Sequence, residues 1–576
     1  MRYCTLLVVL AAAVAAPAQS ADLKYKQRLL ADLVKQVPQL LKQYDARSGH
    51  FGHGIWVCDD QNLMYPLAVA YATRDHGNRY YQDRGLLEVI MKAGDALIAD
   101  MDGRGQWMFR KKDGSTWGMT RKCWVYSRWI RSFALIQGDM PPERRAAWAK
   151  ALTLGYTLIA KNDLGTLHNI PTHHAMGLYA AGKALGRPEW CKLAADFLMK
   201  VVATQAEAGY WSEGGGPVVL YDFVYIDALG TYYGMSGDRR VLPALEKAAR
   251  FHADFTYPDG RCVETIDQRN PYNAFVELGN VGFTFSPIGR AYLTRQWSHR
   301  PGLDADLMAS LLRYGEEGPA ADLAPSGEPS VATLKDHGVE RAAAVRNGPW
   351  FFCVSAYTTP VAASRWHQDR QNLVSVFHDR AGLILGGGNT KLQPLWSTFS
   401  VGDVGLLVHT PGDTNPHFLP PPGKLFHVPT AATLIRDPDL GLDLTYGPEQ
   451  CRVRLHPIDD HAVAYRLAAT TRSGLPVAAH LTLLPQLGKP LRTGGGTRLT
   501  IGPQPVDLTA AEVGGSVSYG GYRLQLPPTA TLHWPRFPHN PYTKDGHAGL
   551  NEARIVITIP FDDQHPQYTV MMEVVP

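Results

Sequence analysis

The stretch Gly318-Pro-Ala-Ala-Asp-Leu-Ala-Pro-Ser-Gly-Glu-Pro329 divides the 576-residue chain into two halves of different periodicity. Glycine, proline and small residues at this density suit neither helix nor strand, so 316–340 reads as a linker. On its N-terminal side apolar residues recur every three and four positions, as amphipathic helices require. Segments 62–74, 85–101, 124–138, 143–160, 172–185, 189–205, 222–234 and 239–256 carry the pattern. The junction Leu185-Gly-Arg-Pro188 ends one helix on glycine and opens the next on proline. Antiparallel helices of similar length in series curl into a ring or a solenoid, and an incomplete (α/α) toroid over 22–315 is the expectation. On the C-terminal side, short alternating runs predict antiparallel strands in a β-sandwich over 341–576. Examples are Leu373-Val-Ser-Val-Phe-His378, Ala462-Val-Ala-Tyr-Arg-Leu467, Ala479-His-Leu-Thr-Leu-Leu484 and Ile555-Val-Ile-Thr-Ile559.

Composition narrows the function classes. The chain is 45% apolar with a formal charge of +4 and no concentrated Lys/Arg runs, which excludes a nucleic-acid binder and mildly favours an anionic polymer as partner. Residues 1–21 read as a secretory signal peptide, with Leu6–Ala16 as its apolar core, and imply a periplasmic or secreted protein. That core is too short for a membrane span, and no later stretch exceeds it. Six cysteines remain beyond it, at 58, 123, 191, 262, 353 and 451, with no CxxC spacing, so isolated disulfides are open and a structural zinc site is not expected. No metal or cofactor is expected.

Three segments carry chemistry. Glu213-Gly-Gly-Gly-Pro-Val-Val-Leu-Tyr221 is a glycine-rich turn running into a helix that bears Tyr221 and Tyr225, and bare backbone there would admit a bulky ligand. Leu167-His-Asn-Ile-Pro-Thr-His-His174 places Asn169, His173 and His174 at a helix mouth, where free N–H groups favour a carboxylate. Glu264-Thr-Ile-Asp-Gln-Arg-Asn-Pro-Tyr272 supplies Arg269 and Asn270. A phenol with its ordinary pKa near ~10 is a poor base and needs a cationic neighbour, for which Arg269 is the candidate. Each residue also has a packing reading: Tyr225 as core, one histidine against the next helix, Arg269 on the surface. No spacing selects a carboxylate pair for hydrolysis, there is no GxSxG, and Gly386–Gly388 lacks the Lys-Ser/Thr of a phosphate loop.

The order of helical half, linker and β half resembles polysaccharide lyases with an (α/α) toroid followed by antiparallel sheets, the group of hyaluronate/chondroitin AC lyases, alginate lyases and heparinase-type enzymes. Tyr221-Asp-Phe-Val-Tyr-Ile-Asp-Ala-Leu-Gly230 looks like the helix that carries their catalytic tyrosine. Asn169 falls where they place a carboxylate-neutralising asparagine, and Asp259-Gly-Arg261 through Arg269 looks like the segment delivering their arginine. Hyaluronate-type enzymes carry a histidine upstream of the tyrosine in the same loop; here Ser212 and Glu213 occupy that loop, so His173 or His174 would stand in. The resemblance implies β-elimination on an anionic, uronic-acid-containing polysaccharide. Tyr221 would act as general base and acid, or as the acid with His174 as the base if proton and leaving group lie on opposite faces, while Asn169, a histidine and Arg269 neutralise the carboxylate. His173, Tyr225, Trp211, Glu213, Asn270, Trp117, Trp124 and Arg128 would contact substrate. A toroidal glycoside hydrolase acting on uronides and a non-catalytic polysaccharide-binding protein are the competing classes.

Overall fold

In the computed structural model, which describes residues 22–269, 275–323, 329–410 and 412–575, the N-terminal half is a double-layered ring of helices. The helices are α1 (Lys26–Leu41), α2 (Met64–Ala72), α3 (Arg84–Asp100), α4 (Cys123–Ile136), α5 (Pro142–Asn162), α6 (Asn169–Ala184), α7 (Pro188–Ala203), α8 (Val219–Ser236), α9 (Leu242–Asp254), α10 (Pro287–His299) and α11 (Ala305–Tyr314). Helices α2, α4, α6, α8 and α11 are neighbours in a closed circuit and form the inner layer; the others pack outside it. The two layers differ in sequence because they differ in surroundings. Inner α2 buries eight of its nine residues and is apolar all round, whereas outer α5 buries six of 21 along one stripe.

The helical half also holds one short antiparallel hairpin. Trp107–Arg110 and Thr116–Thr120 form an antiparallel hairpin whose tip carries Asp113-Gly114, with Gly114 at φ +82°. The segment read as linker also carries structure: Gly318–Pro319 pairs with Asp22–Leu23, and a strand occupies Ser330–Asp336.

The C-terminal half consists of antiparallel sheets. A five-stranded meander runs from Ser330–Asp336 through Val339–Asn347, Trp350–Ser355 and Val374–His378 to Gly382–Leu385. Leu334, Ala342, Phe351, Phe377 and Leu383 of this sheet belong to the same apolar core as the helices, so the two halves are fused through shared packing. Sheets of six and nine strands build the second core. Among the described residues the six remaining cysteines are free thiols, and no helix is long and apolar enough to cross a membrane. Residues 1–21 and Asn270, each given a role from sequence, lie outside the described residues.

Candidate active site

The starts of α6 and α8 meet at one end of the ring, and a buried carboxylate sets their geometry. Asp267 accepts the Val219 N–H at 2.7 Å through one oxygen and the Arg269 N–H at 2.7 Å through the other. One side chain therefore satisfies the first turn of α8 and fixes the backbone of Arg269 beside it. Asp222, fully buried, accepts Trp211 N–H at 2.8 Å and meets His252 Nε2 at 2.9 Å, which locks the glycine loop to the same turn.

Gly214 and Gly216 have φ +114° and +129°, a region that favours glycine. A Cβ on Gly215 would lie 2.3 Å from Thr359 Cγ2, and one on Gly216 2.8 Å from Arg370 Nη2. The bare backbone thus admits the β half, not the ligand expected from sequence. Arg370 reaches across to the Ile266 and Gly215 carbonyls at 2.8 and 3.2 Å, and Gln268 joins Gly215 N–H (2.8 Å) to Thr359 Oγ1 (3.2 Å).

Tyr221, Arg269, Glu213 and Asn169 come together on this frame. The Arg269 guanidinium lies 4.6 Å from the centre of the Tyr221 ring, and its Nη1 is 3.7 Å from Glu213 Oε2. Arg269 Nε is buried and has no hydrogen-bond partner among the described residues. Glu213 Oε1 accepts the Tyr225 hydroxyl at 3.1 Å and the Asn169 N–H at 3.3 Å. Burial, then the neighbouring Tyr542, push the Tyr221 phenol above its ordinary value, and Arg269 pulls the other way. Tyr221 is therefore a neutral phenol near pH 7 and a proton donor before it is a base.

The β half closes the other side with residues that no sequence motif singled out. The Tyr221 hydroxyl meets the Tyr542 hydroxyl at 3.0 Å. The Trp366 ring lies 5.7 Å from the Arg269 guanidinium and 5.8 Å from the Tyr542 ring. His367 Nε2 is 3.7 Å from where a Cβ on Gly214 would stand. Burial, then Arg269 and Lys391, lower the His367 pKa and keep the imidazole neutral. The hairpin bridges to the same wall: Lys111 Nζ donates to the Tyr542 carbonyl at 2.5 Å, and Trp117, 57% exposed, meets Trp366 edge-on at 5.7 Å.

Several expected members lie elsewhere. His174 faces a different groove, beside Arg121, Asp163 and His168; burial lowers its pKa to about 3. It is not brought to Tyr221. His173 points to the ring axis, where its Nε2 lies 3.3 Å from Arg128 Nη1 and 3.5 Å from Asp227 Oδ2, with its ring stacked on Trp124. Arg128 is itself held by Asp306 through Nε at 3.1 Å and Nη2 at 2.5 Å. His173, Arg128 and Trp124 therefore belong to a second polar cluster, whose Arg128, Asp227 and Asp306 line a groove of about 300 Å³. Trp211 is core: its Nε1 donates to the Val201 carbonyl at 2.9 Å and its ring stacks on Tyr225. Tyr225 backs the site through Glu213.

Comparison with known proteins fits this architecture. A xanthan lyase from Paenibacillus superposes with a TM-score of 0.56 at 10% identity, over 96% of this chain and 57% of that one. A chondroitin AC lyase variant from Streptomyces coelicolor gives 0.49 at 15% identity, over 95% and 79%. A heparan sulfate lyase from Pedobacter heparinus gives 0.43 at 11%, over 96% and 83%. The chain has the fold of the xanthan lyase. It spans a little over half of that protein's length. No family model and no curated protein matches the sequence.

Proposed function

We propose that the protein is an exported polysaccharide lyase that cleaves a uronic-acid-containing polymer by β-elimination in the cleft between its two halves. The observation that carries this is Tyr221, a neutral phenol packed under a guanidinium whose Nε–H is unspent. A uronate carboxylate would pair with this guanidinium, with Asn169 at the neighbouring start of α6. Once its charge is compensated, the C5 proton becomes acidic and the developing enolate is held by the same donors.

His367, its pKa lowered by burial and then by Arg269 and Lys391, takes the part of the base that removes the C5 proton, in place of Tyr221 or, for opposite-face elimination, His174. Tyr221 donates its proton to O4 as the C4–O4 bond breaks and the C4=C5 double bond forms. Return of the proton from the imidazolium to the phenolate restores the resting state. A hydrolase would need two carboxyls facing each other across the sugar bond. Glu213 instead bonds Tyr225 and Asn169 and lies near Arg269, which favours elimination. Export rests on the apolar run Leu6–Ala16.

The test is a panel of uronate polymers, including xanthan, hyaluronan, heparin and alginate, assayed for the ultraviolet absorbance of the new double bond without added cofactor. Absorbance should rise with at least one. Cleavage products bearing only saturated non-reducing ends would make the enzyme a hydrolase and end this reading.

A further inference from the structure

The outward face of the nine-stranded sheet carries an arrangement that sheet stability alone does not favour. Arg454 and Arg466 stand directly opposite each other in antiparallel register, where like charges destabilise. Arg452 is two residues along the same strand, opposite Ala468. With Gln567, Tyr568 and Thr569 of the adjoining strand they line a groove of about 540 Å³ floored by Leu467 and Ala468.

The face is shaped around these arginines. Gly441 lies opposite Arg454, where a Cβ would meet the Val453 carbonyl oxygen at 2.0 Å and Arg454 Cδ at 2.9 Å, so close backbone approach and the arginine stem both exclude a side chain. Arg454 is fixed by the Leu442 and Val453 carbonyls (2.9 and 2.8 Å) and by Asp443 (2.7 Å). Arg452 and Arg466 are spent far less. Each gives one nitrogen to an aspartate, Nε to Asp443 at 3.1 Å and Nη1 to Asp439 at 2.9 Å, and neither makes another hydrogen bond among the described residues. Their side chains are 60% and 48% exposed. Two guanidinium forks with free N–H groups, a shallow polar trough and no apolar rim suit a linear chain of carboxylates or sulfates.

We propose that this groove is a second binding site for an anionic polysaccharide chain, remote from the Tyr221 cleft and on a different sheet from the one packed on the toroid. It rests on the lyase reading for the identity of the polymer alone. Its role is to hold the polymer while the cleft acts on it, raising local substrate concentration without touching the reacting sugar.

The test compares the full chain with Arg452→Gln/Arg466→Gln and, separately, with Ala468→Glu, which places a carboxylate in the trough and removes no arginine. Affinity electrophoresis and calorimetry with heparin, hyaluronan, alginate and xanthan read binding; product absorbance on polymer and on short oligosaccharides reads turnover. Both variants should bind their best polymer roughly fivefold to tenfold more weakly and depend less on salt. Oligosaccharide turnover and the thermal transition should be unchanged. Unchanged polymer binding in both variants overturns the proposal, as does a loss confined to anionic phospholipid vesicles. Should none of the polymers be cleaved while the variants still bind them more weakly, the lyase reading fails and the groove stands.

Discussion

Two clusters, each an arginine beside a carboxylate, border α6 and α8, and they differ in how closely those charges are paired. At the mouth of the ring Arg269 stands 3.7 Å from Glu213, lies over Tyr221 and keeps Nε without a partner among the described residues. On the ring axis Arg128 grips Asp306 at 2.5 Å, and His173 lies between that guanidinium and Asp227. Paired charges in a dry interior specify structure, and breaking them is costly. A buried donor left unpaired at an opening is available to a ligand. Among the described residues each cluster keeps one buried nitrogen without a partner, Arg269 Nε at the mouth and His173 Nδ1 on the axis, so what separates them is how closely the arginine is paired with its carboxylate.

The sharpest way to break this contrast is to delete one hydroxyl from the mouth. Tyr221→Phe keeps the ring that packs under Arg269 and removes the proton, so turnover should fall by about 10² to 10⁴ with the thermal transition almost unmoved. His367→Ala should fall in the same range, and His174→Ala should not. Single-turnover kinetics alongside thermal melts would check all three. Near-normal turnover in Tyr221→Phe would move the chemistry away from the mouth.

The axial cluster should fail in the opposite manner. Arg128→Ala leaves the half-buried Asp306 and Asp227 without their guanidinium and should cost about 1–3 kcal/mol of stability. Activity per folded molecule, measured below the lowered transition, should stay near that of the parent protein. Loss of turnover in a stably folded Arg128→Ala protein would give the axis a functional part it is denied above.

How much of this was legible in the chain depended on distance. The helical ring and the later strands follow from local periodicity, and their boundaries agree with the sequence reading within a few residues at α3, α4 and α7. Asp113-Gly114 between two extended runs was a local hairpin signal overlooked under the helical pattern. Tyr221, Arg269, Glu213 and Asn169 each belong to a short motif, which is why sequence can single them out before the fold brings them together. His173 and His174 were grouped although neighbours on a helix project about 100° apart and cannot serve one point. His367, Trp366 and Tyr542 carry no local signal at all, because only the docking of the β half brings Tyr542 to Tyr221, Trp366 to Arg269 and His367 to the Gly214 turn.

Acid stability should sharpen the assignment of His174 to packing. Burial holds its folded pKa at about 3, below its ordinary value of 6.5. As pH falls from 6.5 toward 3 the unfolded chain binds a proton there that the folded chain refuses, so stability falls with pH across that window. The slope approaches about 1.4 kcal/mol per pH unit for one such group. His174→Asn should make the acid limb shallower by that amount, with other histidines lowered by burial, among them His173, His480 and His539, contributing to the rest. Denaturant titrations at successive pH values would read it. An acid limb as steep as that of the parent protein would mean that His174 is already protonated, or solvated, in the folded state.

The smallest expected effect belongs to Trp117, the one predicted aromatic that stands exposed at the mouth. Its ring stacks on Phe109 at 4.6 Å, carries Lys111 at 5.1 Å from its centre and still leaves 57% of its surface open. An aromatic face in that position holds a sugar equally in ground state and transition state, so it contributes to binding and little to the barrier. Trp117→Ala should raise KM for polymer about five- to tenfold with kcat nearly constant. The alternative is specific, since the same ring touches Trp366, which in turn meets Tyr542 and Arg269. A fall in kcat at unchanged KM would show that the hairpin positions the β-half wall over Tyr221, making Trp117 a positioning residue for the chemistry.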